Sequence, residues 1–223
     1  MKFPGAPYGL KMACGENPKR VYGTKGRAPV TRMGNVAGYR QAFADARNYL
    51  DEWQKYEKDL AEYEKAKTAK PKRGKPAATA PKAPKRDLRL ETLAGVLKGE
   101  ILVQNHCYRS DEMAIQLDLA KEFGFRITAF HHATEAYQVA ELLAENGTCA
   151  AMWADWWGFK LEAFEGVQEN VAIVDRVKNG CAIVHSDSSE GIQRLNQEAA
   201  KAMARGNAMG YGITPEHAIR WLT

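Results

Sequence analysis

The chain has 223 residues, of which 45% are hydrophobic, and it carries a formal net charge of +5. This composition predicts a globular protein with one sizeable core or two small ones. No run of about 18 apolar residues is present, which excludes a membrane-spanning helix, and residues 1–5 show no hydrophobic stretch of signal-peptide type. The four cysteines lack CxxC spacing, so we expect reduced thiols in a cytoplasmic protein rather than a disulfide framework or a zinc knuckle.

The first 64 residues are predicted to hold one short strand and one long helix. Residues 9–14 form an apolar run that ends at Gly15 and the turn signal Asn17-Pro18. Residues 36–66 are predicted as a single helix, because apolar side chains recur at helical spacing between charged ones.

Residues 65–86 differ in composition from the rest of the chain. They contain nine Lys or Arg residues, no acidic residue and four of the nine prolines. Such a segment cannot bury apolar surface, so we expect a disordered basic linker inserted between residues 1–64 and residues 87–223. No aromatic residue interleaves the charges to stack on bases, so nucleic acid is not favoured as a partner.

Residues 87–223 alternate short apolar strands with helices. Strands are predicted at 101–106, 127–130, 148–153 and 181–184, and helices at 110–123, 134–145, 171–178, 190–205 and from 214 onward. This alternation predicts an α/β fold with a parallel sheet, either open or closed into a barrel. A complete eight-stranded barrel needs about 250 residues, so some five strands and a long insertion predict an incomplete (β/α)8-type barrel.

Four of the five histidines lie at the carboxyl ends of predicted strands. The strand ends carry, in chain order, Asn105-His106, His131-His132, Trp153-Ala154-Asp155 and His185-Ser186-Asp187. The carboxyl ends of parallel strands meet at one edge of a sheet. Imidazoles and a carboxylate gathered there predict a site for a divalent metal, most often zinc.

Several of these segments resemble a known family. "VQNHCYRSDEMA", "FHHATEAYQVA" and "AIVHSDSSEGIQRLNQEAAKA" resemble the fifth-, sixth- and eighth-strand segments of the amidohydrolase superfamily, in its imidazolonepropionase- and prolidase-like branch. "LKMACGENPKR" is similar to the fourth-strand segment of that branch. The resemblance runs from about residue 10 to residue 223, interrupted by the long helix and the basic linker, and implies roughly strands 4 to 8 of the barrel.

The resemblance implies a metal-dependent hydrolase that cleaves a C–N bond with one or two divalent ions. His106 and His132 would ligate one metal, and Asp187 would ligate another and take a proton from the bound water. Lys11, carboxylated by carbon dioxide, would bridge the two ions, with Glu16 as the alternative bridge. His185 lies two residues before Asp187, so it shares that face of the strand and would support the metal site or stabilise an oxyanion.

Substrate contacts are predicted from residues beside these strand ends. Arg109 could pair bidentately with a substrate carboxylate, or it could be a solvated arginine at a helix start. In "DWWGFKLEA", Trp156 could form an apolar wall and Lys160 could pair with an anion, or the segment could be a loop that only packs on the barrel edge. The expected substrate is a small amide, cyclic amide or peptide-like molecule. His131 is expected to point to the opposite face from His132.

Two features of the family are absent from this sequence. The HxH pair of the family's first strand does not occur, and neither does its "NPA" segment. We therefore expect a portion of a longer enzyme, inactive alone, that associates with the missing barrel segment or with further copies of itself through unpaired strand edges. The alternative is a non-catalytic fragment or pseudoenzyme that acts as an interaction module through its basic linker.

Overall fold

The computed structural model describes residues 3–68, 79–156 and 158–223. Within them, five strands form one parallel sheet in the order β1-β2-β3-β4-β5. The strands are β1 Tyr8–Ala13, β2 Ile101–His106, β3 Ile127–His131, β4 Cys149–Met152 and β5 Ala182–Val184. The helices are α1 Glu16–Gly23, α2 Arg32–Thr68, α3 Leu88–Leu97, α4 Ser110–Phe123, α5 Ala140–Glu145, α6 Asn170–Arg176, α7 Leu195–Ala208 and α8 Pro215–Ala218. The predicted α/β fold with a parallel sheet is confirmed.

Each strand pairs with its neighbour in the chain, and the order never reverses. Doubly wound sheets, by contrast, reverse their strand order at a switch point. Because all five strands run in the same direction, their carboxyl ends lie along one edge of the sheet. That edge carries the candidate site.

The hydrophobic core lies between the sheet and its helices. Val103 of β2, Phe130 of β3 and Met113 of α4 have no accessible surface, and Phe43 of α2 stacks on Phe125 with ring centroids 4.4 Å apart. Burial of side chains of this size, at roughly 2 kcal/mol each, fixes the helices on the sheet.

Helix α2 is longer than predicted and its first half belongs to the core layer. The buried residues of α2 are Asn35, Phe43, Ala46 and Tyr49. Tyr39 donates a hydrogen bond to the carbonyl oxygen of Ala13 and accepts one from its amide at 2.9 Å. These bonds occupy the backbone groups of Ala13 that point away from β2, so α2 covers this part of the open edge of β1.

The predicted linker at 65–86 is described only in part. Residues 65–68 continue α2, and residues 79–86 form no helix or strand. Residues 69–78 lie outside the described residues, so the prediction of disorder stays a prediction.

Local sequence signals mark the ends of several helices. Gly124 ends α4 in the left-handed conformation, with φ 74°, as a glycine after a helix commonly does. Thr214 caps α8 by accepting a hydrogen bond from the backbone amide of His217. Ser110 begins α4, although its hydroxyl donates to Glu135 and Gln138 and does not cap the helix.

Other local predictions were wrong. Asn17-Pro18 lies inside α1 rather than in a turn, because Pro18 occupies the first helical turn, where its missing N–H has no intrahelical acceptor. Helix α3, capped by Asp87, was not predicted. Gly206 does not end α7, which continues to Ala208. A side chain at Gly206 would meet Ala172 at 2.7 Å, so this glycine permits close packing.

The four cysteines form two disulfides, Cys14–Cys107 and Cys149–Cys181, so the prediction of reduced thiols was wrong. Cys14 and Cys107 follow directly on Ala13 and His106, which are partners in the parallel register. Cys149 begins β4, and Cys181 directly precedes the adjacent β5. Spacing along the chain does not reveal neighbours across a sheet. No helix in the described ranges is long and apolar enough to cross a membrane.

Candidate functional site

Four imidazoles lie together at the carboxyl edge of the sheet. The ring centroids of His106 and His132 are 4.5 Å apart, and those of His132 and His185 are 4.8 Å apart. His131 lies 6.0 Å from His185. The structure therefore brings together the histidines at the carboxyl ends of β2, β3 and β5, as the parallel-strand argument predicts.

The backbone of His132 explains why two consecutive histidines join one cluster. In a regular strand, successive side chains point to opposite faces, so His131 was expected to face away from His132. His132 instead has a positive φ of 60°, which is uncommon for a residue with a side chain. The turn brings the two rings to 6.2 Å, so the expectation for His131 was wrong.

The cluster contains both bonded and unbonded nitrogen atoms. Asn17 donates a hydrogen bond from its side-chain amide to Nε2 of His106 at 2.9 Å, and His131 bonds through Nε2 to the side-chain oxygen of Gln104 at 2.7 Å. Nδ1 of His132 and Nε2 of His185 are buried and have no hydrogen-bond partner among the described residues. Buried polar atoms are seldom left unbonded in folded proteins.

Burial keeps these imidazoles neutral. Burial, as the largest cause, together with neighbouring positive charges, lowers the pKa of His106 to about 4, that of His132 to about 2 and that of His185 to about 4. Burial also lowers the pKa of His131. A neutral imidazole has a free lone pair on one nitrogen, so the cluster is a set of neutral nitrogen donors at pH 7.

Aromatic side chains line one side of the cluster. Trp153, directly after β4, lies 4.9 Å from His132 and stacks on His185 at 5.8 Å. Tyr108 and Trp156 lie 5.7 Å and 5.4 Å from Trp153. Trp153 was predicted only as a strand-end residue and Tyr108 was not predicted at all, although both follow strands that end in the site. This wall makes the surroundings of the imidazoles poor in water.

Lys160, predicted to pair with a substrate anion, already has a partner in the chain. Its Nζ lies 3.0 Å from Oε1 of Glu16 and 3.8 Å from the centroid of the Tyr108 ring. Trp156, predicted as the apolar wall, is 38% exposed and lies at the rim, while Trp153 forms the wall itself.

The remaining predicted residues lie farther from the centre of the cluster. The Asp187 side chain is 56% exposed, and its Oδ2 lies 3.5 Å from Nε2 of His132. Lys11 is exposed on β1, opposite Gln104, and its charge helps to lower the pKa of His106. Arg109 is paired with Asp111 at 3.0 Å. The roles assigned to these three residues stay predictions.

The donor atoms agree with a divalent metal in type but not in number. Within the described residues, no group of three or more His, Cys, Asp or Glu side chains is arranged to hold a metal ion. Neutral imidazoles with unbonded nitrogens and a nearby carboxylate are ligands that zinc prefers, yet protein zinc sites use three or four such ligands. The described arrangement is therefore part of a metal site at most.

Comparison with known proteins identified two similar proteins, whereas no family model matches the chain. The chain is 33% identical over 164 residues to the amidohydrolase tasK of Hapsidospora irregularis, an alignment that covers 70% of this chain and 15% of that protein. It is also similar to the crystal structure of an amidohydrolase from Thermotoga maritima MSB8, with a TM-score of 0.70 and 30% identity. That match covers 96% of this chain and 49% of the other, so the chain spans about half the length of the solved relative.

Proposed function

We propose, because the chain is related to the amidohydrolase superfamily, that it supplies the histidine- and aspartate-bearing part of an active site that hydrolyses a C–N bond. The observation that carries this proposal is the pair of buried ring nitrogens, Nδ1 of His132 and Nε2 of His185, that have no hydrogen-bond partner within residues 3–68, 79–156 and 158–223. Both belong to neutral imidazoles at the edge where parallel sheets carry their active sites. The chain spans 49% of the solved relative, so the activity is proposed for this chain together with the polypeptide that supplies the rest of the active site.

The strand order supports a barrel segment. Five parallel strands that follow one another without reversal are expected of a (β/α)8 barrel, in which each strand pairs with the next. We infer that β1 to β5 correspond roughly to strands 4 to 8 of such a barrel.

A divalent ion, zinc in the first instance, would be held by His106 and His132, and a second ion, if two bind, by Asp187. Lys11 in its carboxylated form, or Glu16, would supply a further ligand. Such an ion lowers the pKa of a bound water to about 7 and polarises the substrate carbonyl. The ligands still required would come from polypeptide outside the described residues.

The protein groups have separate tasks in this proposal. Asp187 is partly exposed beside His132, so it can accept a proton from water and pass it to the leaving nitrogen. His185 is neutral at pH 7 and can donate a hydrogen bond to an oxygen of the substrate. Trp153 and Tyr108 exclude water, which strengthens each polar interaction at the reacting carbonyl.

The substrate class follows from the walls of the site. An apolar side formed by Trp153 and Tyr108 suits a compact amide, cyclic amide or peptide-like molecule. Lys160 is already neutralised by Glu16 at 3.0 Å, so an anionic group on the substrate would have to displace that ion pair.

Titration of the purified, metal-free protein with Co²⁺, followed by its visible absorption spectrum, tests this proposal. The wild-type protein should bind Co²⁺ weakly, and His132→Ala should lose the absorption. His217→Gln is the matched control, because His217 bonds to Asp175 on α6, and it should behave as wild type. Equal Co²⁺ binding by wild type and His132→Ala would refute the proposal. We expect negligible hydrolysis of amides or dipeptides by the 223-residue chain alone.

A further inference from the structure

Gly15, which follows the disulfide-bonded Cys14, is enclosed by two buried carboxylates. Its amide donates a hydrogen bond to Oε1 of Glu112 at 3.0 Å. A Cβ atom on Gly15 would lie 2.7 Å and 2.8 Å from the two carboxylate oxygens of Glu162. Its φ of 77° also disfavours any residue with a side chain. Both the backbone conformation and the surrounding space therefore require glycine here.

Arg32, the first residue of α2, joins the two carboxylates. Its Nη2 lies 3.1 Å from Oε1 of Glu162, and its Nε lies 3.5 Å from Oε2 of Glu112. The Glu112 and Glu162 side chains are only 7% and 4% exposed. Two buried carboxylates that contact the same glycine and the same arginine are unfavourable unless a cation pairs with them, so their arrangement depends on the guanidinium.

The residues after Gly15 make two contacts in the candidate site. Asn17 donates its hydrogen bond to Nε2 of His106, and Glu16 pairs with Lys160. These residues form the first turn of α1, whose start is set by the position of Gly15. Any shift of Gly15 therefore moves both contacts together.

We propose that Arg32, Glu112 and Glu162 form a clamp that positions Asn17 against His106 and Glu16 against Lys160. The clamp joins α2, α4 and the loop after β4 to the end of β1. The inference rests on the proposed function only in treating His106 as a residue of the active site. Arg32 is thus a positioning residue. It lies in the first turn of α2, so the long helix acts on the site through this side chain.

Nuclear magnetic resonance of the metal-free protein, labelled with ¹⁵N in its histidine rings, tests the clamp. Asn17→Ala removes the hydrogen bond directly and gives the reference shift of the His106 ring nitrogens. Arg32→Gln should shift the His106 signals in the same direction and leave those of His217 in place. Arg40→Gln is the matched control, because Arg40 also joins α2 to α4, through Glu122 at 2.6 Å, but its side chain is 59% exposed.

The clamp is refuted if a folded Arg32→Gln protein keeps the wild-type His106 signals, or if Arg40→Gln shifts them equally. If Arg32→Gln does not fold, Glu162→Ala takes its place, since it removes one carboxylate from a loop and leaves Arg32 intact. Unchanged His106 signals in that variant would equally refute the clamp. Neither metal nor substrate is present, so the result is independent of whether the chain contributes to hydrolysis.

Discussion

Histidines in two regions of this protein differ in whether their ring nitrogens are hydrogen-bonded. On α8, Nε2 of His217 lies 2.8 Å from one oxygen of Asp175, whose other oxygen accepts a hydrogen bond from Nε1 of Trp221 at 2.9 Å. At the sheet edge, His132 and His185 each keep a buried nitrogen without a partner in the described ranges. The first arrangement fastens the last helical segment to α6, while the second leaves donor atoms available.

The difference has an energetic meaning. A buried polar atom without a hydrogen bond costs about 1–3 kcal/mol, so two such atoms beside each other oppose folding unless a ligand uses them. The Asp175 carboxylate shows that the fold can satisfy an imidazole where packing alone is needed. The two unbonded imidazole nitrogens are therefore the atoms on which the proposed metal binding depends.

The largest expected effect that tests this comparison is the pH dependence of stability in metal-free protein. The pKa values of His106, His132 and His185 are lowered in the folded state, so the unfolded chain binds more protons below its ordinary histidine pKa of about 6.5. Stability should be full above that pH and should fall as the pH drops toward about 4, by up to about 1.4 kcal/mol per pH unit for each group. Urea unfolding at pH 7 and pH 5 measures this loss.

The variant His185→Gln provides the control for this dependence. It removes one of the lowered pKa values, so its stability should fall less steeply between pH 6.5 and pH 5 than that of the wild type. An identical slope in both proteins would show that His185 does not titrate as its burial requires.

Metal binding should stabilise the protein through the histidine cluster at the sheet edge and not through His217. Zinc at about 100 times its dissociation constant should raise the free energy of unfolding of the wild type by about 2.7 kcal/mol, and a chelator should reverse this. His132→Ala should lose the gain, while His217→Gln should keep it. Stabilisation of His132→Ala by zinc would place the metal elsewhere.

Removing the carboxylate that bonds to His217 should lower stability without affecting metal binding. Asp175→Ala leaves Nε1 of Trp221 and Nε2 of His217 without their acceptor, so we expect a loss of about 2 kcal/mol in stability and no change in Co²⁺ binding. Thermal unfolding and Co²⁺ titration of the same variant separate the two effects. Loss of Co²⁺ binding would mean that the two environments are coupled.

The smallest effect is expected for His217→Gln. Its amide can still donate to Asp175, and His217 is 43% exposed, so the stability should change by no more than about 0.5 kcal/mol. A much larger loss, measured by urea unfolding, would show that the ring contact of His217 with Trp221 also carries stability.

Much of the fold could be predicted because its signals are local. A left-handed glycine after α4 and a capping threonine before α8 act on backbone groups within a few residues. The gathering of His106, His132 and His185 also followed from the sequence, because parallel strands place their ends at one edge. The prediction of a turn at Asn17-Pro18 was wrong, since a helix tolerates proline in its first turn.

The sequence by itself determined the five strands, most of the helices, the parallel sheet and the strand ends that meet at its carboxyl edge. Only the tertiary structure decided that Lys160 pairs with Glu16 and that the cysteines pair across strands. It also decided that Arg32 pairs with both Glu112 and Glu162, although Glu162 lies 130 residues from Arg32 in the chain. It also decided, through the positive φ of His132, that both histidines of the pair face the cluster. Such contacts depend on how the helices pack on the sheet, and a local sequence pattern does not show which residues this packing brings together.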